Sequence, residues 1–81
     1  MTNIKEEVRL LGVAFHRKLL RYGSDIRELR STDPAKIPPL TELRKRVNTA
    51  YNDVEHLFKR FNGDVEQSVE YERLLTIYKQ T

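Results

Sequence analysis

The sequence contains no cysteine and no tryptophan, and it has only three glycines and three prolines among 81 residues. Without cysteine the chain can form neither a disulfide nor a thiolate metal site, and it has no cysteine nucleophile. The longest apolar run covers residues 10–15 and includes a glycine. It is far shorter than the roughly 20 residues that cross a bilayer, so the sequence predicts no membrane-spanning segment.

The first eleven residues, MTNIKEEVRLL, carry the acidic pair Glu6 and Glu7. Acidic residues at this place argue against a secretory signal and against a transit peptide, which is poor in acids. We therefore expect Met1 to be the start of the chain. We expect the protein to be cytoplasmic, or at least intracellular.

Hydrophobic residues make up 38% of the chain and charged residues 33%. This profile and the length predict one helix-rich domain over residues 1–81. The net charge of +3 is unevenly spread. Residues 1–31 hold seven basic and four acidic groups, residues 39–62 hold five and three, and residues 63–81 hold two and four. The C-terminal segment is therefore acidic on an otherwise basic chain, and such segregation bears on the choice of partners.

The spacing of apolar residues predicts a first helix over about residues 3–30. Asn3 is the expected N-cap, and Glu6 is placed to complete a capping box. Steps of three and four residues place one apolar stripe on a single helix face, and the stripe comprises Ile4, Val8, Leu11, Phe15, Leu19, Tyr22, Ile26 and Leu29. The stripe keeps its phase across Gly23 and Ser24, which favours one continuous helix over a break at this pair.

Prolines in the segment STDPAKIPP, residues 31–39, predict a connector that ends the first helix. A second helix follows over about residues 39–62, with a seam at Leu40, Leu43, Val47, Ala50, Val54, Leu57 and Phe61 that Tyr51 and Phe58 widen. Asn62-Gly63 is the expected C-cap. A third helix over about residues 64–80 starts at Asp64 with Gln67 completing a capping box. The short link makes helices 2 and 3 antiparallel neighbours, so the fold class is an all-α antiparallel three-helix bundle.

The third helix is too short to cover the other two. At about 1.5 Å per residue it reaches along helix 1 only to about Leu19 or Leu20. Beyond that point helices 1 and 2 form a two-helix arm, whose apolar seam is Tyr22, Ile26, Leu29, Leu40, Leu43 and Val47. Its basic residues are Arg27, Arg30, Arg44, Lys45 and Arg46. An apolar strip with a basic rim indicates an interaction site for an acidic protein or for a second copy of the chain.

These features predict a small non-enzymatic adaptor, regulator or inhibitor, with a homodimer through the arm as the simplest self-association. An alternative function is non-specific nucleic-acid binding through the same basic arm, because the sequence pI is about 9.4. The two histidines, His16 and His56, each fall opposite the apolar stripe of their helix and predict no metal site. We expect no cofactor and no catalytic residue.

The segment FHRKLLR, residues 15–21, resembles the signature region of the LYR-motif assembly factors through Arg17, Leu19, Leu20 and Arg21. Phe15 and His16 stand in place of two of the three defining residues of that region. Tyr51 stands where a phenylalanine on the second helix is expected. The resemblance implies a small basic three-helix protein that pairs with acyl carrier protein in mitochondria.

Overall fold

The computed structural model describes residues 3–81, so the expected chain start at Met1 lies outside the described residues. Helix α1 spans Ile4–Thr32, helix α2 spans Ile37–Arg60 and helix α3 spans Val65–Gln80. A single 3₁₀ turn, Pro34–Lys36, joins α1 to α2. The predicted all-α three-helix bundle, with two long helices and a shorter third, is confirmed.

Helix α1 runs without interruption through Gly23 and Ser24, which confirms the continuous helix that the apolar register predicts. At its start, the Asn3 side chain accepts a hydrogen bond from the Lys5 backbone N–H at 2.9 Å, so Asn3 is the N-cap as expected. Glu6 does not close the expected capping box. Its carboxylate instead accepts from Arg9 Nε at 3.0 Å, one turn along the helix.

Helix α2 begins at Ile37, two residues before the predicted start, and therefore contains both Pro38 and Pro39 in its first turn. The prediction that the connector runs to Pro39 is wrong for a physical reason. The first backbone N–H groups of a helix have no partner within the helix, so prolines are tolerated there. At its other end α2 stops at Arg60, two residues earlier than predicted.

The α2–α3 turn is organised by Gln67, a polar side chain that is buried. Its Oε1 accepts from the backbone N–H groups of Asn62 at 2.9 Å and Gly63 at 3.2 Å, and its Nε2 donates to the Arg60 carbonyl at 2.8 Å. Gly63 takes a φ of +91°, a conformation in which glycine has no Cβ penalty. The capping box between Asp64 and Gln67 is present as predicted.

Pairs of residues in contact define the topology. On α1 and α2, Gly12 lies against Val54 and Gly23 against Arg44, so the two helices are antiparallel. Helix α3 runs antiparallel to α2, because Arg60 contacts Glu70 and Arg46 contacts Gln80. It runs parallel to α1, because Phe15 meets Tyr78 at 5.4 Å between ring centroids and Tyr22 contacts Thr81. The core is a single cluster of buried side chains from all three helices: Val8, Leu11, Phe15, Val47, Ala50, Val54, Leu57 and Leu74.

The molecule is elongated, with extents of 47 × 19 × 17 Å. Helix α3 covers only part of this length. Its end is fixed where the Tyr22 hydroxyl donates to the Thr81 carbonyl and where Arg46 Nη2 meets Gln80 Oε1 at 3.5 Å. Helix α3 therefore covers α1 as far as Tyr22, about one helical turn beyond the predicted limit. Past Tyr22 only α1, the 3₁₀ turn and α2 remain, and they form the arm.

None of the helices within residues 3–81 combines the length and the apolar character that crossing a membrane needs.

Candidate interaction surface

The seam of the predicted arm is more closed than the sequence suggests. Leu29, Leu40 and Leu43 are half-buried, and Ile26 is only 7% exposed. None of these four side chains belongs to the main core cluster. Because Ile26 is buried, replacing it by a charged residue would disturb the arm itself and would not report on a partner alone.

Two of the predicted partner-binding residues serve the fold. Val47 is fully buried and belongs to the core cluster. The sequence places Val47 in the arm because the apolar register of α2 does not show where α3 ends. Tyr22 is half-buried, packs against the core and holds the Thr81 carbonyl through its hydroxyl. Both residues therefore lie at the level that α3 covers, on the border between the core and the arm.

The five predicted basic residues are all exposed: Arg27, Arg30, Arg44, Lys45 and Arg46. Lys45 forms an ion pair with Glu42 at 3.7 Å, and Arg46 lies next to Gln80. Over the part of the chain that the structure describes, Arg27, Arg30 and Arg44 form no ion pair. The arm is thus basic at its surface, with three guanidinium groups open to an acidic partner.

A second surface, which the sequence analysis did not single out, lies on the side of the α1–α2 hairpin opposite α3. There a groove of about 290 Å³ runs between the two helices. It is lined by Val8, Arg9, Gly12, Val13, His16, Tyr51, Val54, Glu55, Phe58 and Lys59. We call it the hairpin groove.

Gly12 determines the floor of the hairpin groove. A Cβ placed on Gly12 would lie 3.3 Å from Val54 Cγ1, which is closer than side chains normally pack. The missing side chain lets α1 and α2 approach closely and leaves Val54 at the base of a depression. Half-buried Tyr51 and Phe58 of α2 form one wall, and Val13 of α1, which is 38% exposed, lies on the other.

The rim of the hairpin groove is polar and carries more positive than negative charge. Lys59 lies on it, as does Arg9 in its ion pair with Glu6. Lys5 Nζ stands 5.2 Å from the centroid of the Phe58 ring. Glu55 is the acidic residue of the lining. Interaction with this carboxylate, followed by burial, raises the pKa of the Tyr51 hydroxyl.

The hairpin groove leads into the basic arm on the same side of the molecule. A second depression continues it, lined by Leu19, Thr41, Arg44, Lys45 and Asn48. Steps of three and four residues connect the two depressions on each helix, from His16 to Leu19 and from Tyr51 back through Asn48 to Arg44. The open face of the hairpin thus runs from an apolar groove to a cluster of cations.

The sequence carried a signal for this face. Tyr51 and Phe58 widen the seam of α2 beyond the width that one neighbouring helix needs, and Val13 is an apolar residue outside the α1 stripe. The apolar pattern does not show on which side of the hairpin α3 packs. Either side of the hairpin would satisfy the periodicity of the first two helices.

The histidines do not come together. Both are exposed, and His16 contributes to the hairpin groove, where its ring lies 5.9 Å from that of Tyr51. Within residues 3–81 no cluster of histidine and acidic side chains is arranged to hold a metal ion.

No family model, no curated protein and no solved structure matches this chain. The resemblance of residues 15–21 to the LYR-motif assembly factors therefore has no support beyond those residues. The structure places Arg17, Leu20 and Arg21 on the exposed surface of α1 and Leu19 half-buried against the core.

Proposed function

We propose that this chain is a small non-enzymatic protein-interaction module that binds its partner on the open face of the α1–α2 hairpin. The observation that carries the proposal is the hairpin groove, where apolar side chains remain uncovered because α3 packs on the opposite side. Grooves between two helices receive amphipathic helices, since an apolar helix face fits the apolar floor.

The charges around this face favour an acidic partner. Lys59 borders the groove, and Arg27, Arg30 and Arg44 follow on the arm. Exposed cations of this kind raise the rate of association with an acidic surface and select against basic ones, while the apolar contact supplies most of the affinity. In this proposal the arm guides the partner and the groove holds it.

The proposal is tested by capturing proteins from the cells that make the chain, followed by purification of the captured protein and measurement of its Kd. Val13→Glu places a negative charge in the groove and should weaken binding at least tenfold. Leu10→Glu is the matched control, because Leu10 is an exposed apolar residue of α1 outside the groove lining. An affinity that Val13→Glu leaves unchanged would refute the assignment of the groove.

Nucleic-acid binding is a second candidate function, favoured by the three arm arginines that form no ion pair in the described part of the chain. Phosphate contacts would make the affinity fall steeply between about 50 and 200 mM salt. A gel-shift titration with a generic duplex and a generic single strand at about 50 mM salt is sufficient. Absence of a shift with both the duplex and the single strand would reject nucleic-acid binding.

A further inference from the structure

A depression where α1 meets the end of α3 differs in character from the hairpin groove. It has a volume of about 220 Å³ and is lined by Ala14, Arg17, Lys18, Arg21 and Tyr78. None of these residues lines the hairpin groove or belongs to the basic residues of the arm. The depression is therefore a third surface of the molecule, and we call it the α1–α3 depression.

The charges that line the α1–α3 depression are all positive. Arg17 and Arg21 are exposed and Lys18 is half-buried, and the lining includes no acidic residue of the described chain. Within residues 3–81 none of the three cations forms an ion pair. Asp25, one turn beyond Arg21 on α1, lies outside the lining and is in no ion pair of the described chain. The depression thus holds three neighbouring positive charges that no side chain of its lining neutralises.

The spacing of the three cations is unfavourable for the helix that carries them. Arg21 is four residues from Arg17 and three from Lys18, and side chains at these spacings are neighbours on a helix surface. Like charges placed in this way destabilise a helix. An anion between the three side chains would remove the repulsion, so the free energy of the folded protein favours a bound anion here.

One of the three cations is held in place by the core. Lys18 Nζ lies 4.4 Å from the centroid of the Tyr78 ring, a cation–π contact. The Tyr78 ring in turn meets the fully buried ring of Phe15 edge-on, with 5.4 Å between the centroids. The ammonium group is therefore positioned against a fixed aromatic wall, and less conformational freedom is lost when a ligand binds to it.

We propose that the α1–α3 depression binds a phosphate monoester group. Such a group carries a charge of about −1.5 to −2 near neutral pH and offers three strong acceptor oxygens. The guanidinium groups of Arg17 and Arg21 match these oxygens as paired donors, and Lys18 supplies a point charge. A carboxylate is a poorer fit, because its single charge and two oxygens are satisfied by one arginine.

The size of the α1–α3 depression agrees with a single anionic group. Its volume of about 220 Å³ is below the range of about 300–1,000 Å³ that is typical of pockets for drug-sized ligands. Both arginines are exposed, so water and salt screen their contact with the anion. The binding is therefore weak for the free ion, and its test needs ligand in the millimolar range.

The test is an NMR titration of the isotope-labelled chain with inorganic phosphate, in which sodium chloride keeps the ionic strength constant. The wild type should show saturable shifts of the amide signals of residues 14–21 and of Tyr78. The variant Arg17→Gln with Arg21→Gln should bind phosphate about tenfold more weakly, because it loses hydrogen bonds to charged donors. Both positions are exposed, and circular dichroism checks that the variant keeps its helices.

A matched control separates this site from the general positive charge of the chain. The variant Lys36→Gln with Arg73→Gln also removes two positive charges, from exposed residues that are paired with Asp33 and Asp53. It should bind phosphate as the wild type does. A second arm of the experiment identifies the source of the phosphate group. It measures co-sedimentation of the chain with vesicles of phosphatidylcholine alone and of phosphatidylcholine mixed with phosphatidic acid, a lipid whose headgroup is a phosphate monoester.

Saturable binding of inorganic phosphate that depends on Arg17 and Arg21 supports the proposal with a soluble phosphate as ligand. Binding that occurs only to the vesicles with phosphatidic acid, and that depends on the same two arginines, supports it with a lipid headgroup as ligand. Two results would overturn the proposal: the absence of binding in both arms, or an equal loss of binding in the site variant and the control variant. Neither result bears on the hairpin groove, which the capture experiment with Val13→Glu tests.

Discussion

Gly23 and Gly12 are two glycines within one helix, and the structure predicts opposite results for replacing them by alanine. A Cβ on Gly23 would lie 3.7 Å from Arg44 Nη2 and 3.8 Å from Arg44 Cζ. These are ordinary van der Waals distances to an exposed, flexible side chain. Since alanine is more favourable than glycine inside a helix by about 1 kcal/mol, Gly23→Ala should raise the free energy of unfolding by about that amount.

The expected change in melting temperature follows from chain length. Unfolding entropy is about 2.1 cal/mol/K per residue, which gives about 0.17 kcal/mol/K for the 81 residues. A gain of about 1 kcal/mol therefore raises the melting temperature by about 6 °C. Thermal unfolding followed by circular dichroism, at one fixed protein concentration, measures a shift of this size.

Gly12→Ala is the matched control, because it brings the same gain in helix propensity at a position where space is lacking. Its Cβ would lie 3.3 Å from Cγ1 of Val54, a side chain of the buried core. Overpacking a well-packed contact costs about 1–3 kcal/mol, so this substitution should be neutral or destabilising. Equal stabilisation by both alanines would refute the close approach at Gly12. A loss of stability in Gly23→Ala would refute the view that Gly23 is an ordinary interior position of α1.

Two further substitutions test the α2–α3 turn and the titration of a half-buried tyrosine. Gln67→Ala leaves the N–H groups of Asn62 and Gly63 without their acceptor and should lower the free energy of unfolding by about 1–3 kcal/mol in a urea titration. Gln67→Glu should be intermediate, because it keeps an acceptor. A loss below about 0.5 kcal/mol in Gln67→Ala would contradict the organising role of Gln67. Burial, with the charges of Glu7 and Glu72 adding to it, raises the pKa of Tyr71, so the folded state holds this proton more tightly than the unfolded chain does. Stability that is present below the ordinary tyrosine pKa of about 10 should therefore fall as the pH rises through the raised value. Urea midpoints at about pH 8 and pH 11 should differ less in Tyr71→Phe than in the wild type, and an equal difference would contradict this linkage.

The sequence contains enough information to predict the helices because their signals are local. The stripe on α1 keeps its phase through Gly23, and a break at that point would have had no reason to preserve it. The capping box formed by Asp64 and Gln67, a four-residue pattern, predicts the start of α3. The start of α2 was harder to predict, because a proline pair is compatible both with a connector and with the first turn of a helix.

The candidate site depends on information that is not local. Apolar periodicity shows that Val47 and Tyr51 are on the inner half of α2. It does not show that α3 ends beside Val47, nor that α3 packs on the side away from Tyr51. Helix length predicts where α3 stops covering α1 to within about one turn, so the sequence predicts the arm but not the hairpin groove. The role of Gly12 is not predicted either, since it depends on the approach of Val54.

Polar contacts as well as the core join α3 to α2. Arg46, Asp53 and Arg60 recur every seven residues along one edge of α2, and all three meet α3. Arg60 bonds to Glu70 at 2.6 Å, Asp53 pairs with Arg73 at 3.7 Å, and Arg46 approaches Gln80. Exposed pairs of this kind contribute at most about 1 kcal/mol each, and Glu55 and Lys59 offer the same two signs of charge on the other edge of α2, so the pairs add to the stability of α3 on its side without choosing that side. Because α3 packs on one side of the hairpin, the hairpin groove on the other side stays open, and in the proposed function folding and binding use different faces of the same hairpin.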